Sequence, residues 1–435
     1  MITKPWGSTA YAAMTALLAT LTLSFPSGAV LAISLPLSAP EAVGLSSERL
    51  RRLTATLKTE VDGGRLPGAV IAIARKGQLA YFEAVGFRDP QTRAPMPRDA
   101  IFSIASMTKP MVAVAIMILH DNGKLFLSDP IGKYLPALAN MQVAATKAPG
   151  TSKGEIETVP ALRQPTIMDL LRQTSGFVYG SGGASEAHAV WPSSSSFSAI
   201  TYTEPEFVTI LSKAPLLHQP GTVWDYGLSV DVLGLVVEAI SGKSLGAFLQ
   251  ERLWGPLGMV DTSFSIPEGK KGRYALAFAN DPLTGKPQSV LHALGKPLKF
   301  ECGGGCAVST AMDYLRFAQM LANKGILEGR RILSRKTLEL MTSDQLAPDV
   351  RAATTSPVLA EGYSFGLGFA VRTQPGRALL AGSAGEFYWG GAFGTYFWVD
   401  PAEDLAVVFM AATPSELRAH FRTLVKNLVL ASILD

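Results

Sequence analysis

The chain has 435 residues, of which 48% are hydrophobic, and its 39 lysines and arginines against 35 aspartates and glutamates give a net charge of +4. This length allows one large domain or two interleaved domains with a sizeable core. Because the charge is small and the basic residues are interspersed, the composition argues against nucleic acid or an anionic membrane surface as a partner.

Residues 1–32 have the composition of a secretory leader. Lys4 supplies the positive start, Ala10–Phe25 is an apolar run, and Val30-Leu31-Ala32 offers small residues for cleavage. A membrane anchor is the alternative, but the run is shorter than the ~20 residues that a spanning helix needs. We therefore expect an exported protein, periplasmic or secreted, with no stable membrane anchor after leader removal.

Strand patterns occur near both ends of the chain. The predicted strands are Gly68–Ala74, Leu79–Val85, Phe365–Val371, Ala392–Val399 and Leu405–Ala411, and a closing helix is predicted at Leu417–Leu434. The sequence between the two groups is mostly helical and loop-like. This arrangement predicts an α/β fold in which residues 33–124 and 301–435 build one sheet, with a mainly helical insertion over 125–300.

Ser106 begins the most informative stretch, Ser106-Met107-Thr108-Lys109, which is followed by an apolar run typical of a helix buried on all sides. The spacing of three places the Lys109 ammonium nitrogen next to the Ser106 hydroxyl on one helix face. Burial and the positive helix start should lower the pKa of Lys109 enough for it to accept a proton near neutral pH. The pattern is short, and a helix cap followed by a solvated lysine would have the same sequence.

Ser152 is a competing candidate nucleophile, because Gly150-Thr151-Ser152-Lys153-Gly154 matches the G-x-S-x-G pattern. That motif requires a buried strand before the serine and a helix after it. Neither flank has such a pattern, so we expect no catalytic role for Ser152.

Two later stretches could complete a site around Ser106. Tyr226 lies just before a predicted helix; such a tyrosine is usually a packing residue, but with an upstream S-x-x-K it becomes a candidate proton shuttle. Gly390 and Gly391, between Trp389 and Ala392, allow close approach of another backbone, and N–H groups there can point at a ligand oxygen. The alternative for the glycine pair is a bulge or tight corner at a sheet edge.

Cys302 and Cys306 are the two cysteines of the chain, and three glycines separate them. In an oxidising compartment such a flexible segment could bring the sulfur atoms together in a disulfide, with two free buried thiols as the alternative. The five histidines are scattered without a ligand-like pair, so we expect neither a metal nor a cofactor.

Taken in this order, the three stretches around Ser106, Tyr226 and Trp389 resemble the serine β-lactamase and penicillin-binding-protein superfamily, most closely its family VIII carboxylesterases. The resemblance covers Gly68 to Ala411. It implies a β-lactamase-like fold with an antiparallel sheet flanked by helices.

The resemblance also implies roles for individual residues. Ser106 would be the acylated nucleophile, Lys109 the residue that takes its proton, and Tyr226 the shuttle that passes a proton to the leaving group. How the base duty is divided between Lys109 and Tyr226 is left open. The backbone N–H groups of Ser106 and Ala392 would form the oxyanion hole.

Three positions depart from the pattern of β-lactamases. Leu228 replaces an asparagine, Trp389-Gly390-Gly391 replaces Lys-Thr-Gly, and Gln173 replaces a histidine. We expect Leu228, Trp389, Gly390 and Gly391 to face the substrate. Since leucine and tryptophan replace residues that hold amides and carboxylates, the sequence favours a neutral ester with a short acyl chain as substrate.

Two alternatives to an ester hydrolase stay open. One is a class C-like β-lactamase or a D-amino-acid peptidase or amidase on the same scaffold. The other is a penicillin-binding-type sensor that is acylated without turnover.

Overall fold

The computed structural model describes residues 1–4, 35–145, 156–354, 356 and 358–435. Contacts divide the chain into two units, Met1–Ile33 and Ser34–Asp435, and every element below belongs to the second. The predicted leader, beyond its first four residues, and the Ser152 motif lie outside the described residues. The leader therefore stays a prediction.

The helices of the described residues are numbered in chain order. They are α1 (Ser47–Asp62), α2 (Thr108–Asp121), α3 (Ile167–Leu171), α4 (Glu186–Ala189), α5 (Ser195–Thr201), α6 (Glu204–Lys213), α7 (Ser229–Ser241), α8 (Leu245–Leu249), α9 (Ala311–Ala322), α10 (Arg335–Met341), α11 (Pro348–Ala352) and α12 (Leu417–Leu430).

The strands follow the same order. They are β1 (Gly68–Arg75), β2 (Gln78–Asp89), β3 (Ala94–Pro95), β4 (Phe102–Ser103), β5 (Gln142–Ala144), β6 (Thr158–Pro160), β7 (Val308–Ser309), β8 (Ile326–Leu327), β9 (Arg330–Arg331), β10 (Tyr363–Phe365), β11 (Ala370–Arg372), β12 (Phe387–Gly390), β13 (Tyr396–Asp400) and β14 (Leu405–Ala411).

Strands from both ends of the chain form one sheet, in the order β10-β11-β12-β13-β14-β1-β2-β3, and its pairings are antiparallel. The two ends meet where β1 pairs with β14, in a register from Ala69 opposite Ala411 to Arg75 opposite Leu405. The prediction of one sheet built from both termini is therefore confirmed.

Helices cover both faces of this sheet, which explains why β1 is buried along its whole length. Its side chains alternate between two apolar cores: Val70 and Ala72 face the core that contains α2 and α9, whereas Ile71 and Ile73 face the core that contains α1 and α12. The predicted burial of α2 is confirmed, since its residues from Thr108 to Leu119 are all buried.

Several predicted elements differ from those in the structure, including β2, which extends to Asp89 instead of Val85. Phe365–Val371 is not one strand but parts of β10 and β11, which pair as a hairpin around Gly368, whose φ of +96° breaks the extended backbone. The strand predicted from Ala392 begins only at Tyr396, the closing helix ends at Leu430, and β12 was not predicted as a separate strand.

Residues 125–300 contain helices α3 to α8, in keeping with a mainly helical insertion. The division of the chain at 124 and 300 nevertheless stays a prediction, because Ser34–Asp435 forms a single unit by its contacts. No single helix in the described part of the chain is long and apolar enough to cross a membrane, although the bent pair Ser229–Ser241 and Leu245–Trp254 would meet both criteria together.

Candidate active site

Ser106 lies in a short 3-10 turn, Ala105–Met107, that joins β4 to α2. Ala105 has a φ of +45°, a left-handed conformation that costs energy for any residue with a Cβ. The Thr108 hydroxyl holds this turn, since it donates to the Ala105 carbonyl (2.7 Å) and accepts from the Ala307 N–H (3.1 Å). The strained turn leaves the Ser106 side chain partly exposed while its neighbours are buried.

Lys109 lies in the first turn of α2 and is almost fully buried. Its Nζ donates to Ser106 Oγ (3.4 Å), to Tyr179 Oη (2.8 Å) and to the Gly304 carbonyl (2.6 Å). The structure therefore brings Ser106 and Lys109 together, as the spacing predicts. Three acceptors for three N–H groups is the arrangement that suits a charged ammonium.

The expected charge state of Lys109 needs correction. Burial acts to lower its pKa, but Tyr179, Tyr226 and the Asp231 carboxylate act in the opposite sense and hold the pKa above its ordinary value. Lys109 is thus a cation in the resting site. The sequence indicates the burial but not the acidic partner, which approaches from another helix.

Tyr179 is a site residue that the sequence analysis missed. Its hydroxyl lies between Lys109 Nζ and Ser195 Oγ, at 2.8 Å from each, and burial raises its pKa. The segment around Tyr179 is rich in glycine and serine and has no periodic pattern. Only the tertiary fold places it against α2.

Tyr226 lies against Lys109, whose Nζ is 4.6 Å from the centre of the tyrosine ring. The ring also contacts Tyr179 and Trp389, with centroid distances of 5.7 Å and 5.3 Å. Its hydroxyl is buried and has no hydrogen-bond partner among the described residues. An unpartnered buried hydroxyl on a ring that packs against Lys109 is available for a hydrogen bond to substrate.

Gln173 holds the Tyr226 loop from both sides, which gives this departure a structural role. Its backbone carbonyl accepts from the Asp225 N–H (2.9 Å), and its side-chain oxygen accepts from the Gly227 N–H (3.2 Å). Gln173 itself has a φ of +60°. A glutamine side chain can reach the loop as an acceptor, so it fixes the residues on either side of Tyr226.

The glycine pair after Trp389 lies next to the serine turn. A Cβ on Gly391 would lie 2.2 Å from the Ile104 carbonyl oxygen, so the close approach requires glycine. The Thr395 hydroxyl also donates to the Ile104 carbonyl (3.1 Å), and the Gly391 N–H donates to the Thr395 carbonyl (2.8 Å). The exposed Ala392 follows, so its N–H lies on the segment that borders the Ser106 turn.

Three of the four residues expected to face substrate are buried, namely Leu228, Trp389 and Gly391. Leu228 is fully buried in the core at the start of α7, which corrects the expectation that it offers a surface to a ligand. Its position before a buried helix explains this. Trp389 is 3% exposed and packs against Tyr226 and Phe365, so it acts on the site mainly as the support of the Tyr226 ring.

Cys302 and Cys306 form a disulfide with a Cα–Cα distance of 5.3 Å. The bond closes a small loop whose central residue, Gly304, is the carbonyl partner of Lys109. The disulfide is thus part of the wall of the site rather than a remote cross-link.

Comparison with known proteins identifies the family of the chain. The family model described as Beta-lactamase matches residues 53–430. Protein Rv1367c of Mycobacterium tuberculosis is 35% identical over 82% of this chain and 88% of its own, and Esterase EstB of Burkholderia gladioli is 31% identical over 87% and 94%. The solved structure of EstCE1, a hydrolase with promiscuous acyltransferase activity, has a TM-score of 0.71 at 23% identity and covers 88% of this chain and 98% of its own.

These matches confirm the β-lactamase-like fold that the motifs predicted, including the sheet flanked by helices. The chain belongs to the beta-lactamase family and is a serine hydrolase.

Proposed function

We propose that this protein is an exported hydrolase of carboxylic esters with short acyl chains and that Ser106 carries the acyl group. The observation that carries the proposal is the contact of Ser106 Oγ with Lys109 Nζ at 3.4 Å. The Tyr226 ring packs against the same ammonium, and its hydroxyl has no partner among the described residues. The relation to Esterase EstB over most of the chain supports ester hydrolysis.

Acylation would begin with attack of Ser106 Oγ on the ester carbonyl carbon. Tyr226 relays the serine proton: its oxygen takes the proton from Ser106 Oγ while its own hydroxyl proton moves toward the alcohol oxygen of the ester, and the Lys109 cation stabilises the negative charge that develops along this relay. The N–H groups of Ser106 and Ala392 would hold the oxyanion of the tetrahedral intermediate. When the C–O bond of the ester breaks, the original hydroxyl proton of Tyr226 leaves with the departing alcohol, and Tyr226 keeps the proton that came from Ser106.

Deacylation would repeat these steps with water in place of the alcohol. Tyr226 takes a proton from the water as the water oxygen attacks the acyl carbon and passes its own hydroxyl proton to Ser106 Oγ, so Ser106 leaves as the protonated hydroxyl. In this scheme Lys109 keeps its proton throughout, and Tyr226 carries the mobile one. The scheme thus assigns the base duty to Tyr226, a hypothesis that kinetics can test.

The substrate class follows from the aromatic surroundings of Tyr226. Trp389 is buried against the Tyr226 ring and supplies no charge at the place where a lysine would hold a carboxylate. A charge-assisted contact of that kind contributes about 1.5–3 kcal/mol. We therefore expect kcat/KM for a short-chain nitrophenyl ester to exceed that for a chromogenic cephalosporin by at least ~10²-fold.

The experiment that tests the proposal compares Ser106→Ala with Ser152→Ala on a nitrophenyl ester. We expect Ser106→Ala to lose about 10⁶-fold in rate and Ser152→Ala to keep nearly all activity. An inactive Ser152→Ala variant would show that the nucleophile is misassigned. Equal or higher efficiency on the cephalosporin would favour the β-lactamase alternative.

Intact mass spectrometry separates an enzyme from a sensor. With excess ester, an enzyme shows an acyl adduct on Ser106 that disappears as product accumulates, whereas a sensor keeps the adduct without product. Cell fractionation of the full chain tests export: we expect activity in the periplasm or medium and a mature protein shortened near Ala32.

A further inference from the structure

Two hydrogen-bonded arms connect Lys109 to Asp231, a buried residue in the first turn of α7. The first arm runs through Gly304, whose carbonyl accepts from Lys109 Nζ (2.6 Å) and whose N–H donates to Asp231 Oδ1 (2.9 Å). The second runs through Tyr179 and Ser195, with contacts of 2.8 Å, 2.8 Å and 2.7 Å ending at Asp231 Oδ2.

Both arms have the same polarity. Lys109 donates to Tyr179, and Ser195 donates to Asp231. The Tyr179 hydroxyl must therefore donate to Ser195, so every hydrogen bond in this arm is donated in the direction of the carboxylate. The Gly304 peptide is oriented in the same direction. Hydrogen bonds that are all donated from an ammonium toward a carboxylate are stabilised by both of the buried charges.

We infer that Asp231 is the counter-charge of the Lys109 ammonium and that it positions this ammonium beside Ser106 through the Gly304 and Tyr179–Ser195 arms. Asp231 is therefore a positioning residue, which touches no reacting atom itself. The inference rests on the proposed function of Lys109 and extends it to a residue that none of the sequence motifs includes.

The same arrangement explains why residue 304 is a glycine. A Cβ on Gly304 would lie 2.2 Å from Asp231 Oδ2 and 2.2 Å from Ser195 Oγ, so a side chain would separate the two arms from the carboxylate. The Cys302–Cys306 disulfide closes the loop that carries this peptide. A short covalent loop keeps the peptide between Lys109 and Asp231 without a side chain.

Asp231→Asn tests the inference, because asparagine keeps the shape of the side chain and removes its charge. Tyr179, Tyr226 and Asp231 are the titratable groups that act on Lys109, and burial opposes them. Loss of the negative charge should therefore move the titration midpoint of Lys109 down by about one pH unit or more. The midpoint is followed by NMR of ¹³C-labelled lysine, with the signal assigned by its absence in Lys109→Arg.

Asp313→Asn is the matched control. Asp313 is a buried carboxyl at the start of α9 that accepts from the Asp261 N–H (2.7 Å) and Thr262 Oγ1 (2.9 Å), and burial raises its pKa to about 6. Its replacement by asparagine should leave the Lys109 midpoint unchanged. The limb of the pH–rate profile that reports Lys109 should move in Asp231→Asn and stay in the control.

A second pair of variants tests the Gly304 arm without changing a charge. Gly304→Ala should lower the acylation rate about tenfold or more and move the Lys109 midpoint, since it pushes the peptide away from Asp231. Gly305→Ala should behave like the parent protein, because the nearest atoms to a Cβ there are 3.6 Å away.

An unchanged Lys109 midpoint in a folded Asp231→Asn protein would overturn the inference. So would equal effects of Gly304→Ala and Gly305→Ala on that midpoint. Because the midpoint is read without substrate, a shifted midpoint in a protein that hydrolyses no ester would leave this inference standing and reject only the proposed function.

Discussion

Gly391→Ala provides a direct test of the oxyanion segment. The new Cβ would lie 2.2 Å from the Ile104 carbonyl oxygen and 2.3 Å from Thr395 Oγ1. Relief of both contacts requires the segment to move away from the Ser106 turn by roughly 1 Å, and a misplacement of that size costs about 10²-fold in rate. Loss of one oxyanion donor costs a similar factor, about 10² to 10³.

Single-turnover acylation by a nitrophenyl ester measures this effect before deacylation contributes. We expect the acylation rate constant to fall about 10²-fold, with a much smaller change in substrate affinity, because the donor acts mainly on the transition state. Gly376→Ala is the control, since a Cβ there meets nothing within 4 Å. An acylation rate within about twofold of the parent in folded Gly391→Ala would show that the Ala392 N–H is not an oxyanion donor.

The remaining predictions concern supporting residues. Gln173→Ala should lower kcat about tenfold, because the Tyr226 loop loses a side-chain acceptor; unchanged kcat would show that the loop is held without it. The denatured, unreduced protein should take up no thiol reagent and two equivalents after reduction, from Cys302 and Cys306; uptake before reduction would contradict the bond. Burial, aided by two nearby glutamates, raises the pKa of Glu238 from 4.5 to about 7. The contribution of the Glu238 side chain to folding stability is therefore complete below pH 4.5 and disappears as the pH rises through 7. Glu238→Gln should therefore raise Tm at pH 8 and leave it nearly unchanged below pH 4.5, and an equal shift at both pH values would contradict that assignment.

The parts of the site that the sequence predicts are those fixed by local geometry. Ser106 and Lys109 are three residues apart, so one helix start brings them together whatever the rest of the chain does. Tyr226 required the resemblance to a family, because nothing local distinguishes it from a packing tyrosine. The run Phe387-Tyr388-Trp389 does contain a strand signal, since aromatic residues favour strands. Because two glycines follow it, the strand was predicted to begin only after them, at Ala392.

The parts that the sequence does not predict depend on contacts between distant segments. Tyr179 contacts Lys109, and Asp231 connects to it through Gly304, only after α2, α7 and the intervening loops pack. Their absence from the sequence reasoning reversed the sign of the expected pKa shift of Lys109: a buried lysine alone loses its proton more easily, whereas a buried lysine with a carboxylate partner keeps it. A charge state of this kind is a property of the tertiary structure, even where the residue itself is obvious.

Backbone strain in the site has the same long-range origin. Ala105 and Gln173 both have positive φ, at +45° and +60°, and they lie at the turn that presents Ser106 and beside the loop that presents Tyr226. Such conformations persist only where surrounding contacts determine them, and these contacts come from Thr108 for the first residue and from the Tyr226 loop for the second. These two strained conformations hold the nucleophile Ser106 and the proton carrier Tyr226 in place before substrate binds. This preorganisation reduces the reorganisation needed during acylation, which is why small changes at Gly391 or Gln173 should affect kcat more than affinity.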